Sequence, residues 1–476
     1  LQNYELLRQD CYCTLYFLFQ YGDPDMSQPV YVVDGTRTPF LKAVEPGPFS
    51  AADLGFYAAQ GLLARLSIDP KQISQVVVGC VAPSAQEANI ARIIALRAGC
   101  GVKVPAFTVQ RNCASGLQAI DSARQNIAQG YCDLVLAGGT EAMSRAFLLF
   151  PPTMAQWLSS FSKSKSIFAK MRTLMKLRPS FFRPIISLEQ GLTDPIINMN
   201  MGQTAQELAY RFNISRQEMD IFAAQSHVRA YSASPHLKNE IIPIYSKEGI
   251  LFDKDTGIRT DSSVEKLSKL KPVFDKFGSI TAGNSSQISD GAAFVLLASE
   301  KAVLEHNLPV LGTIKEVAWA GVDPVMMGLG PVHAITHILQ AQKLSLDDID
   351  TIEINEAFAA QVLACIKAWQ DPDYCAKELN IHHDLEKWFL KPDILNPDGG
   401  AIAIGHPVGA SGARLVLHAL KNLERTQAKR AIASLCIGGG QGGAALLERI
   451  EKKERIEAEP LEEGERQEEG HHRENI

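Results

Sequence analysis

The chain has 476 residues, is 46% hydrophobic and 21% charged, and carries a formal charge of −6. Residues 451–476 hold ten acidic and five basic side chains, so the rest of the chain is close to neutral. That balance argues against a nucleic-acid binder, and no apolar run approaches the length of a membrane-spanning helix.

Residues 11–20 are apolar but short, with Glu5 and Asp10 ahead of them, which fits neither a secretory signal nor an Arg-rich transit peptide. Met26-Ser27-Gln28 leads directly into the first good strand at 30–33, so residues 1–27 are expected to be an upstream extension that is not native. Leu66-Ser67-Ile68-Asp69, followed by residues 73–79, reads as a helix end, a short loop and a buried strand. The pattern returns as Leu344-Ser345-Leu346-Asp347 followed by residues 349–355, so the chain reads as internally duplicated. Ala114-Ser115-Gly116 opens one helix and Ala410-Ser411-Gly412 another. Each helix runs on into an apolar strand that ends in glycines, at 134–139 and 432–440. Strands alternating with helices predict two α/β halves with mixed sheets covered by helices, residues 28–144 with 275–308 and residues 309–448. The insertion at 145–274 contains Met201-Gly202-Gln203-Thr204 and a helix start at Ser215-Arg216-Gln217-Glu218. Its helices are expected to form a lid. Residues 449–476 lack apolar periodicity and are expected to be disordered.

Nine scattered cysteines, odd in number and without a CxxC pair, read as free thiols in a reducing compartment and not as a zinc site. Cys80, Cys100, Cys132 and Cys365 fit small buried core residues. Cys113 differs, because it follows a strand and begins a helix. A thiolate there gains from free backbone N–H groups and the helix dipole, which predicts a lowered pKa and a nucleophile. His406 lies in Gly405-His406-Pro407, a turn that presents the imidazole, and it can take the thiol proton as a general base. Cys436 ends a strand before Gly438-Gly439-Gly440, where backbone can approach a ligand closely. A thiol pKa near neutrality would let Cys436 take a proton from carbon and return one. Asn355 suits an oxyanion-type role. Glu356 reads equally as part of that site or as a helix first-turn charge. The glycines at 438–443 do not follow GxGxxG, so dinucleotide binding is rejected.

Together these segments resemble the thiolase family. Asn112-Cys113-Ala114-Ser115-Gly116 is similar to its acylated-cysteine motif. Asn355-Glu356-Ala357-Phe358, Gly405-His406-Pro407 and Cys436-Ile437-Gly438-Gly439-Gly440 are similar to its three later motifs, and the likeness covers residues 28–448. The resemblance implies a duplicated, five-layered αβαβα fold with an inserted lid, and a homodimer or homotetramer. It implies a 3-ketoacyl-CoA thiolase of fatty-acid β-oxidation with Cys113, His406, Cys436 and Asn355 as catalytic residues. The alternatives are an acetoacetyl-CoA thiolase working in the condensing direction and a non-catalytic lipid carrier. CoA and acyl-CoA would be substrates, with no cofactor and no metal. Met201, Asn284, Ser286, Phe358 and Gly438 would bind substrate. Residues 145–188 carry eight basic and no acidic side chains among aromatic ones such as Trp157 and Phe168. That segment and the extra residues around 366–394 are similar to the β-subunits of fatty-acid oxidation complexes. This implies a cytoplasmic enzyme with a hydratase/dehydrogenase partner and a peripheral membrane contact through 145–188.

Overall fold

The computed structural model describes residues 28–43 and 46–450; the extension at 1–27 and the tail from 451 lie outside the described residues. The first half runs β1 (Tyr31–Arg37), α1 (Ala51–Leu66), β2 (Gln75–Gly79), α2 (Ile90–Arg97), β3 (Ala106–Val109), α3 (Ser115–Ala128) and β4 (Leu134–Ala142). The insertion follows with α4 (Pro152–Lys163), α5 (Ile167–Leu174), α6 (Met201–Arg211) and α7 (Arg216–Ser232). Strand β5 (Ser289–Ala298) then completes the first half. The second half is β6 (Gly312–Gly321), α8 (Gly330–Ala341), β7 (Thr351–Ile354), α9 (Ala359–Gln370), α10 (Pro372–Glu378), α11 (Ser411–Thr426), β8 (Arg430–Ile437) and β9 (Gln441–Glu448).

The duplication is visible in the strand order. In the first half β1 pairs antiparallel with β5, β5 antiparallel with β4, β4 parallel with β2, and β2 parallel with β3. In the second half β6 pairs antiparallel with β9, β9 antiparallel with β8, and β8 parallel with β7. A parallel bridge from Ile352 to Leu395 stands where β3 stands in the first half. The two arrays join where Tyr31 and Val32 meet Thr313 and Gly312.

Strand residues alternate between two apolar environments, as a sheet covered on both faces requires. Val76, Val78, Leu134 and Leu136 pack under α1 and α2, whereas Val77, Val135 and Ala137 face inward with Leu117 and Ile120 of α3. The inner layer also takes Leu415 and Val416 of α11, so α3 and α11 are shared between the sheets. Val332, Ile335 and Ile338 of α8 cover the outer face of the second sheet with Ile352 and Ile432. The layers are therefore α1/α2, first sheet, α3/α11, second sheet, α8/α9.

The insertion is anchored by buried charge. Arg37 of β1 binds Glu240 at 3.1 Å and Asp255 at 2.7 Å, all nearly inaccessible. Helix α7 starts as the sequence predicts, with Ser215 and Glu218 capping each other reciprocally. The basic segment forms α4 and α5, packed on each other through Trp157, which stacks on Phe161 at 5.4 Å and donates to the Thr173 carbonyl at 2.8 Å. Residues 366–394 complete α9 and add α10, burying Trp369 and Cys375. Among the described residues no helix is long and apolar enough to cross a membrane.

Candidate active site

Cys113 sits in the turn between β3 and α3. Asn112 adopts a left-handed φ of 45°, which asparagine tolerates better than most residues. Ser115 ties the turn together, accepting from the Arg111 N–H at 2.9 Å and donating to the Asn112 carbonyl at 2.7 Å. The Asn112 amide donates to the Gly438 carbonyl at 2.8 Å, so this turn and the Cys436 turn are joined across 326 residues. The second half reaches the same place because glycines permit it. A Cβ on Gly116 would lie 2.8 Å from the Gly409 carbonyl oxygen, and one on Gly139 only 1.9 Å from it.

His406 is buried at 6% exposure. Its Nδ1 lies 2.6 Å from the Ser411 hydroxyl, and its Nε2 lies 3.4 Å from the Asn355 amide nitrogen. Burial, followed by the charge of Arg414, lowers its pKa to about 4, so the imidazole is neutral. The Asn355 Oδ1 is buried and accepts no hydrogen bond among the described residues.

Two electrostatic expectations change. The start of α3 does not give Cys113 a lowered pKa: burial raises it, with the Gly438 and Cys113 backbone N–H groups pulling the other way. Desolvation of the thiolate outweighs those two hydrogen bonds. Cys436 is also not near neutrality. Burial pushes it well above the ordinary thiol range, and neighbouring Cys113 and Cys365 add to the shift. Both groups are thiols in the free protein.

A cavity of about 390 Å³ opens beside Cys113. Asn112, Met201 and Gly438 line it with Cys113, and Met143, Phe147, Leu188 and Leu192 make its apolar wall. Of the residues expected to bind substrate, Met201 and Gly438 meet Cys113 here and the others lie elsewhere. Asn284 is fully buried, and its side chain is occupied by the Thr281 N–H, Asp220 and the Ser279 carbonyl. Ser286 is half-buried, with its N–H on the Ala357 carbonyl. Phe358 packs edge-on against Phe274, 5.8 Å away. Glu356 is not a first-turn charge on α9. It is a buried carboxylate that accepts from Ser226, Asn396 and the Ile402 N–H, tying α7 to the loop ahead of His406. Cys132 is half-exposed, unlike Cys80, Cys100 and Cys365, which are buried.

Sequence reasoning passed over Ser411 and Glu141. Ser411 looks like an ordinary helix start. Glu141 had a signal, because a carboxylate ending an apolar, glycine-rich strand needs buried donors. Among the described residues no group of His, Cys, Asp or Glu could hold a metal ion.

Residues 30–301 match the thiolase N-terminal domain and residues 308–449 the thiolase C-terminal domain. A β-ketoadipyl-CoA thiolase of Acinetobacter baylyi is 39% identical over 88% of this chain and 99% of its own length. A probable acetyl-CoA acyltransferase of Staphylococcus aureus is 38% identical over 84% and 93%. The crystal structure of human mitochondrial 3-ketoacyl-CoA thiolase in complex with CoA superposes with a TM-score of 0.77 at 35% identity, covering 89% of this chain and 99% of that one. The family models together span nearly all the described residues, and the duplicated fold joins two cysteine turns and a histidine turn at one cavity: the chain belongs to the thiolase family of acyltransferases.

Proposed function

We propose that this chain is a 3-ketoacyl-CoA thiolase that cleaves acyl chains with an uncharged end, as in fatty-acid β-oxidation. The observation that carries this reading is the wall of the cavity beside Cys113. Among the described residues it contains no Lys, Arg or His, and its two carboxyl residues are Glu141 and Asp194. A ketoadipyl chain ends in a carboxylate, which would enter this wall without a partner, an unfavourable burial. A plain alkyl chain has no such penalty. The cavity volume of about 390 Å³ also favours a chain longer than acetyl.

In this reading neutral His406 takes the Cys113 proton on Nε2, and the sulfur adds to the keto carbon of the substrate. The carbon–carbon bond breaks, and its electron pair goes to the departing acetyl-CoA carbon, which takes the Cys436 proton. An incoming CoA thiol returns a proton to Cys436 and attacks the acyl-Cys113 thioester. Shortened acyl-CoA leaves, and Cys113 recovers its proton from His406. Asn355, with His406, flanks the place where an oxyanion or water would sit.

The test compares two substrates of equal chain length, 3-ketohexanoyl-CoA and 3-ketoadipyl-CoA, in the thiolytic direction. The expected preference in kcat/KM for the first is at least about tenfold. Equal or better cleavage of 3-ketoadipyl-CoA would overturn the reading.

The basic insertion supports one further assignment, contact with an anionic lipid surface. On α5 and the turn after it, Ile167, Phe168, Met171, Leu174 and Met175 recur at helical spacing and are all exposed, Phe168 at 84%. Lys170, Arg172 and Lys176 flank that stripe. An exposed apolar stripe bordered by basic residues is the pattern of a helix lying in a membrane interface.

A further inference from the structure

One charged side chain in the cavity wall has no part in the steps above. Glu141 lies near the end of β4 in the first half and is 1% exposed. Its Oε2 accepts from the Val81 N–H at 2.9 Å and from the Gly409 N–H at 3.1 Å. Its Oε1 accepts from the Ala82 N–H at 3.1 Å and faces the Cys80 thiol at 3.7 Å. Three of these donors follow β2 in the first half. The fourth, Gly409, belongs to the second half and stands three residues beyond His406.

The join is close. A Cβ on Gly409 would lie 2.5 Å from the Thr140 carbonyl oxygen and 2.7 Å from Glu141 Oε2. Burial lifts the Glu141 pKa to about 7, against the pull of the Val81 and Ala82 N–H groups, so a charge is held here at a cost. A carboxylate is the side chain with enough acceptor sites for these converging donors.

We propose that Glu141 is a positioning residue that latches the His406 loop of the second half onto the Cys113 wall of the first, through the Gly409 amide. The proposal rests on the assignment of His406 as the base for Cys113. Small displacements of a catalytic group, of about 1 Å, can cost on the order of 10²-fold in rate. The latch therefore acts on rate through the imidazole.

Glu141→Gln keeps the size of the side chain but turns one acceptor into a donor facing N–H groups. Acetylation of Cys113 by acetyl-CoA, followed by mass spectrometry, should slow about tenfold or more. In a His406→Ala background the same change should cost less than about twofold, because the residue through which it acts is gone. Equal losses in both backgrounds, or no loss in either, would overturn the latch. Amide hydrogen exchange gives a reading independent of activity: the peptide spanning residues 405–411 should exchange faster in Glu141→Gln, with strand β8 unchanged. Unaltered protection of Gly409 would also overturn it. If the amide variant does not fold, Glu141→Asp, which withdraws the carboxylate by one methylene, answers the same exchange question. Normal acetylation in His406→Ala alone would remove the base assignment, and the exchange result would still decide whether Glu141 holds the loop.

Discussion

Ser411 stands 2.6 Å from Nδ1 of His406 and donates its own hydrogen to the Pro407 carbonyl, 3.0 Å away. A hydroxyl oriented that way accepts from the ring, so Nδ1 carries the proton and Nε2 presents a lone pair. Nε2 is the nitrogen turned toward Asn355. One hydroxyl thus sets which face of the imidazole is basic.

Removing that hydroxyl should cost rate more than binding. In Ser411→Ala, acylation of Cys113 is expected to slow by about tenfold, with KM changed little, since the tautomer is no longer fixed. Stopped-flow measurement of acyl-enzyme formation checks this. A variant acylating at the parent rate would show that the ring is oriented by packing alone.

Cys436→Ser should separate the half-reactions. The raised pKa makes Cys436 a protonated acid in the free protein, suited to deliver a proton to carbon. A serine hydroxyl is a far weaker acid, so carbon–carbon cleavage of 3-ketoacyl-CoA should fall by about 10²-fold or more, while acetylation of Cys113 by acetyl-CoA, whose leaving group is a thiolate and not a carbanion, falls much less. Equal loss in both assays would make Cys436 a packing residue.

His418 makes stability depend on alkaline pH. It lies on α11, hydrogen-bonded to Glu240 and 3.4 Å from Asp398. Burial opposes its charge, but Glu240, Glu353 and Asp398 more than offset this and raise its pKa from 6.5 to about 10. A raised folded-state pKa means the stabilisation is complete below pH 6.5 and is lost as pH rises toward about 10. Denaturant titrations at pH 6.5 and 9.5 should show this decline in the parent and a weaker one in His418→Gln. That variant should also lose on the order of 3 kcal/mol at pH 6.5, because breaking a buried pair leaves Glu240 with Arg37 alone. Parallel pH profiles for parent and variant would assign the decline to other groups.

The α5 stripe makes a prediction about surfaces. The protein should sediment with phosphatidylserine vesicles at low salt, and neither with phosphatidylcholine vesicles nor at high salt. Phe168→Ser with Met175→Ser should weaken the binding, and so should Lys170→Glu with Arg172→Glu. Thiolysis of a short substrate should survive all four changes, because none of these residues lines the cavity beside Cys113. Binding that ignores both pairs of changes would place the contact elsewhere.

Much of the architecture was readable along the chain. The repeated helix-loop-strand pattern before residues 79 and 355 became β2 and β7, which hold equivalent places in their sheets. Strand patterns alternating with helical ones announced sheets covered by helices. Gly116, three residues after Cys113, marked a place where other backbone approaches closely, and the Gly409 carbonyl of the second half does meet it there. Local chemistry of this kind depends on neighbours in sequence, so a sequence can carry it.

What the sequence could not carry was the electrostatic state of the site. A helix start next to Cys113 is a local fact, whereas its desolvation depends on everything packed around it, and desolvation wins. The same applies to Glu356, whose partners Ser226, Asn396 and Ile402 are 40 to 130 residues away. It applies as well to Glu141, which finds Gly409 only when the halves close. By itself, then, the sequence determined the duplicated fold and the turns that bear Cys113, His406 and Cys436. Only the tertiary structure decided which protons those groups hold, because burial and long-range donors, not adjacent residues, set the free energy of each charge.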